Sequence, residues 1–117
     1  MNEGIIDQID VVESGYEYLL AYAAQGRASD ATGAGASEIR ETLNGMSEAV
    51  ANIADMLTDE AHEFATVVVE DARKSLAAIS LVVAQDKISS ELVDNLNASI
   101  HLRALLTDLF LLSEAPL

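Results

Sequence analysis

The chain has 117 residues, half of them hydrophobic, with no cysteine and with 20 acidic against 6 basic side chains for a formal net charge of -14. That length suits one domain with a single core, the apolar content excludes intrinsic disorder, and the lack of cysteine excludes disulfide scaffolds, thiolate metal sites and cysteine nucleophiles. The charge repels a phosphate backbone or an anionic membrane surface, so neither direct nucleic-acid binding nor membrane adsorption is expected.

Ile5, Ile9, Val12, Tyr16, Leu19 and Ala23 recur at alternating steps of four and three. This is the a/d seam of an amphipathic helix, placed at residues 3–25. Gly26 follows as a residue able to take the left-handed conformation that closes a helix, with the cation Arg27 beside the negative helix end. Residues 26–36 are small, polar and glycine-containing, which predicts a flexible loop. Ser37 is placed to cap a second helix over 37–57, with Glu38 in its first turn and a seam of Ile39, Leu43, Met46, Val50, Ile53 and Leu57.

Thr58 is the expected cap of a third helix over 59–85. Its seam, Ala61, Ala65, Val68, Ala72, Leu76, Ile79 and Val83, contains one extra four-residue step after Ala72. Ser89 is placed to cap a fourth helix over 89–113, with Ile88 and Val93 as a hydrophobic staple. Within it Leu92, Leu96 and Ile100 give way to Ala98, Leu102, Leu105, Leu109 and Leu112, while Leu106, Phe110 and Leu111 widen the stripe. No uncharged run approaches the roughly 20 residues of a membrane span. The architecture that follows is all-α: one domain, residues 1–117, folded as an antiparallel up-down-up-down four-helix bundle.

Two surfaces exceed what the interior of such a bundle needs. Val11, Gly15, Tyr18 and Tyr22 form a second stripe on the first helix, and the end of the fourth is apolar nearly all round. Val11, Tyr18, Tyr22, Leu106, Phe110 and Leu111 are therefore the expected interface residues, with a second copy, a different protein, or both as partner. The loop is long enough to let the first helix exchange between two copies.

Candidate chemistry is sparse. Asp59 and His62 lie three apart, but His62 and His101 are many turns apart in an antiparallel hairpin, so no metal site and no cofactor are expected. The same hairpin puts His101 level with Arg73, and with Glu41 and Tyr22 on the neighbouring helices. Together they could form a small polar site for a ligand, a metal or a phosphoryl group. Gly33-Ala34-Gly35 precedes a helix but lacks both a preceding strand and a Gly-Lys-Ser/Thr sequel. No Ser/His/Asp grouping or nucleophile elbow is present, so no catalytic residue is assigned.

The expectation is a non-enzymatic acidic bundle acting through protein contacts as an adaptor, chaperone or accessory regulatory subunit. It would be cytoplasmic, since residues 1–4 begin no signal peptide. Two alternatives are a small-ligand bundle built around His101 and an acidic mimic of nucleic acid that blocks a basic protein.

Overall fold

A computed structural model describes residues 3–31 and 38–117. It is all-helical over these residues: α1 (Glu3–Ala23), α2 (Glu38–Leu57), α3 (Glu63–Val83), α4 (Ser90–Ala98) and α5 (Ile100–Glu114). The molecule measures 46 × 22 × 19 Å, so its long axis holds helices of about 30 Å with a turn at each end.

The seams fold inward. All six seam positions of α2 are buried, as are Ile5, Ile9, Val12 and Leu19 of α1 and Ala65, Val68, Ala72 and Ile79 of α3. Heptad spacing keeps one stripe of each helix toward its neighbours, and burying those side chains is the main favourable term. Asn52 donates to Gln8 and Gly15 lies against Met46, so α1 and α2 run antiparallel. A Cβ built on Gly15 would come 2.3 Å from Met46 Cγ, and the lack of one lets these two helices close up. Ser75 Oγ donates to the carbonyl of His101 at 3.0 Å, fixing α5 antiparallel to α3 near the level the hairpin predicts. α4 packs chiefly on α1, and α5 on α3.

Two boundaries depart clearly from expectation. The third helix begins at Glu63, not Asp59, because His62 is its cap: His62 Nδ1 accepts from Phe64 N at 3.0 Å. Thr58 turns the other way, its hydroxyl donating to Ala54 O at the end of α2. The expected fourth helix is divided. Ser99 takes an extended conformation and its hydroxyl accepts from Leu102 N, ending α4 and capping α5.

The stripe itself explains this division. The buried positions Val93, Leu96 and Asn97 on α4 and Leu102, Leu105 and Leu109 on α5 lie on rows that do not continue into one another across Ser99. Asn95, Asn97 and Ser99 also have side chains that compete with helical backbone bonds. The break turns Ile100, the next position of the α4 row, out to 76% exposure.

Other local signals match the structure. Gly26 has φ 66°, Ser89 accepts from Leu92 N, and Ile88 and Val93 are both buried. The expected cap Ser37 and the glycines at 33 and 35 lie outside the described residues. The first part of the expected flexible loop is pinned, since Asp30 is buried. No helix among the described residues is long and apolar enough to cross a membrane.

Candidate functional site

The two ends of the molecule are built differently. At one end a polar clasp joins four chain segments. Arg40, in the first turn of α2, donates to Asp30 at 2.7 Å and to the carbonyls of Val83, Gln85 and Asp86 at 2.9, 2.9 and 3.1 Å. It thereby holds the last carbonyls of α3, where a cation is favoured. Ile88 N donates to Asp30 Oδ1, and Tyr22 Oη donates to Ile88 O at 2.6 Å. Ser90 Oγ donates to Tyr22 O, and Arg27 N donates to Ser90 Oγ.

Burial pushes the Asp30 carboxyl up. The bonds from Arg40, from Ile88 N and from its own backbone N–H, together with the Arg40 charge, outweigh burial and hold it below the usual carboxylate range. A hollow of about 550 Å3 beside the clasp is lined by Asp30, Arg40 and residues 83–86. Two of its charged lining groups, Asp30 and Arg40, are bonded to each other and to backbone groups.

The opposite end is apolar. His62 and Phe64 at the start of α3, Leu111 of α5, and Ala115, Pro116 and Leu117 enclose a cleft of about 440 Å3. Phe110 and Leu111 are each 53% exposed. Asp59, Glu60, Glu63 and Glu114 are exposed in the segments that form the cleft walls. The nearest arginines along α3 and α5, Arg73 and Arg103, lie eight or more residues from Phe64 and Leu111, a backbone separation of about 12 Å or more along the helix axis. A shallower groove between α1 and α2 is lined by Val11, Ser14, Gly15, Tyr18, Thr42, Gly45 and Met46.

The expected interface residues separate into three groups. Phe110 and Leu111 sit at the apolar end, whereas Val11, 44% exposed, and half-buried Tyr18 line the α1–α2 groove. Tyr22 and Leu106 are corrections. Both are buried within this chain, Tyr22 against the α3–α4 turn under its bond to Ile88, and neither offers a surface. The stripe Val11–Tyr18–Tyr22 splits because α4 covers its inner edge. Tyr22 stacks on Tyr18 with centroids 6.4 Å apart, and the Arg27 guanidinium lies 5.1 Å from its ring centre. Burial, and for Tyr18 the Glu38 charge, push both phenols above their ordinary value. They are neutral packing groups.

The expected polar site does not assemble. His101, Arg73 and Glu41 are exposed, Arg73 beside Thr58, Thr66 and Glu70 in an α2–α3 groove, while Tyr22 is buried in the clasp. Among the described residues no group of three or more His, Asp or Glu side chains is placed to hold a metal ion.

Two features escaped the sequence reading. Phe64 and residues 115–117 become cleft walls only through the α3 start and the returning tail, which no periodicity encodes. Asp108, buried on α5 opposite Asp71 of α3, does carry a signal, because it is an acid between Leu105 and Leu112 on an apolar row. The chain matches no protein-family model, no curated protein and no solved structure, so any functional reading stands on these residues alone.

Proposed function

We propose that this chain is a non-enzymatic, acidic, antiparallel four-helix bundle, its fourth position divided into α4 and α5, and that it works as an adaptor or accessory subunit by docking a segment of another protein. The observation that carries this reading is the apolar cleft at the α3–α5 end, with Phe110 and Leu111 half open to solvent beside it. Exposed aromatic and aliphatic side chains gathered at one place are a common mark of contact surfaces.

The charge around the cleft selects the occupant. Four carboxylates, Asp59, Glu60, Glu63 and Glu114, flank the walls, and a second copy docking by the same face would set them against the same four. A cationic amphipathic segment meets both the apolar floor and the acidic rim. The partner is therefore a basic, amphipathic stretch of a different protein.

The test compares wild type with Phe110→Asp and Leu111→Asp. Both positions are exposed, so folding measured by circular dichroism is expected to be unchanged. Native mass spectrometry and light scattering are run on the tagged protein from its host, and amphipathic helical peptides of matched hydrophobicity but opposite charge are titrated in. The reading expects a stoichiometric complex, and binding of the cationic peptide alone that weakens at least tenfold in either variant and weakens with salt. A bare homodimer disrupted by Leu111→Asp, or equal binding of both peptides, refutes the choice of occupant.

A further inference from the structure

Asp108 occupies a place on α5 where the pattern calls for an apolar side chain. Leu105, Leu109 and Leu112 are buried around it, and it is itself only 7% exposed. The Ser75–His101 bond sets a register that places half-buried Asp71 of α3 within about one helical turn of Asp108, and Asp71 is the neighbour that acts on its carboxyl. Ionised carboxylates are acceptors only, so a bond between these two groups requires a proton on one of them. Asp108 Oδ2 has no hydrogen-bond partner, which leaves an anion at Asp108 with an oxygen neither solvated nor bonded.

Burial, then the bond to Asp71 and the Asp71 charge, push the Asp108 carboxyl up to about 7. The other charged groups nearest it on these two helices, Glu70, Arg73 and Lys74 of α3 and His101, Arg103 and Glu114 of α5, are exposed. On the other helices that touch α5, Asp7, Asp10 and Glu17 of α1 and Glu91 and Asp94 of α4 are exposed, and Glu13 of α1 is half-buried.

We propose that a proton shared between Asp71 and Asp108 latches α5 onto α3, and that its release to solvent sets two carboxylates against each other and loosens α5. α5 carries Leu111, a wall of the apolar cleft, so the latch would also tune that cleft. Only this consequence rests on the docking role; the latch stands without it.

The sign follows from linkage. A folded-state value above the unfolded one means the native chain binds the proton more tightly, so the contribution is full below the unfolded value near 4. It is lost as pH rises through about 7.

The full-length chain is studied by carbon-detected NMR titration of its aspartate carboxyls and by melting curves from pH 5.5 to 8.5. Wild type is compared with Asp108→Asn, whose amide donates to Asp71 and never ionises, and with Asp71→Asn, which removes the like charge. The Asp108 carboxyl is expected to titrate with a midpoint near 7. Wild type is expected to lose about 5 to 10 °C relative to Asp108→Asn between the two pH limits. In Asp71→Asn the Asp108 midpoint is expected to fall. His62 and His101 are present in all three proteins, so the comparison isolates the carboxyl pair.

An Asp108 midpoint below 5 overturns the latch, and it needs no variant to fold. Parallel melting curves for wild type and Asp108→Asn overturn it as well. Loss of peptide binding in Leu111→Asp with no pH effect at Asp108 would support the docking role and refute the latch, and the reverse pattern would do the opposite.

Discussion

Replacing Arg40 by methionine tests whether the clasp holds the loop-bearing end together. Asp30 is nearly enclosed, with its side chain 6% exposed, and its bond from Arg40 Nε is 2.7 Å long. Removing one partner of a buried pair costs about 3 to 5 kcal/mol, because the other charge stays behind uncompensated. Two features reduce that figure. The Arg40 side chain is 32% exposed, so water can reach part of the vacated space, and Asp30 keeps its bond from Ile88 N at 2.9 Å. The exposed carbonyls of Gln85 and Asp86 also regain water. A loss of about 2 to 3 kcal/mol is expected, a large fraction of the roughly 5 to 15 kcal/mol that holds a domain together.

Urea unfolding followed by circular dichroism measures this loss. Because the penalty belongs to the stranded carboxylate, the double variant Arg40→Met with Asp30→Asn should recover at least about 1 kcal/mol of it. Acid adds an independent check. Asp30 is held below its ordinary value in the native state, so its contribution is present above about pH 4 and fades as pH falls through the native value. In Arg40→Met that fading should begin at a higher pH. A single variant within about 0.5 kcal/mol of wild type, or a double variant no better than the single, would show that Asp30 is solvated and that the clasp does not bear on stability.

Two further substitutions test the packing. Gly15→Ala improves helix propensity by about 1 kcal/mol, yet its Cβ would sit 2.3 Å from Met46 Cγ and 2.6 Å from Sδ, where Met46 is packed at 1% exposure. Overpacking of about 1 to 3 kcal/mol should win, giving a net loss of about 1 kcal/mol in urea unfolding; a stabilised variant would contradict the close approach of α1 and α2. Tyr22→Phe removes a 2.6 Å bond and strands the Ile88 carbonyl, with an expected cost of about 1 to 3 kcal/mol by the same measurement. A Tyr22→Phe protein as stable as wild type would place water at that carbonyl.

Heptad steps placed the buried rows of α1, α2 and α3, and Gly26 and Ser89 marked a helix end and a helix start, because backbone conformation and side-chain period are local properties. Tyr22 shows where local reasoning stops. It lies three residues beyond the seam residue Leu19, and only the position of α4 decides whether that flank of α1 meets solvent or core. Ser99 shows a different limit. The stripe of the last helix visibly changed row, but a continuous helix with a wide apolar face and two helices with a re-aimed face write the same letters. Asp30 is a further case, since a single aspartate in a loop of small residues gives no sign that Arg40, ten positions on, will bury it. Asp108 was legible as an acid in an apolar row, but Asp71 became its partner only when α3 and α5 took their register.

The contrast between the two ends gives the bundle a direction. At the clasp, the end of α1, the first turn of α2, the end of α3 and the start of α4 are tied by side-chain bonds to backbone groups, and such bonds have little freedom to shift without leaving donors or acceptors bare. α5 is held differently. Its packing on α3 is apolar, supplemented by Ser75 at the His101 carbonyl and by the carboxyl pair at Asp108. A 15-residue helix has little stability of its own in water, so its order depends on that contact. α5 is thus held mainly by apolar burial, at the end where Phe110, Leu111 and the acidic rim face solvent.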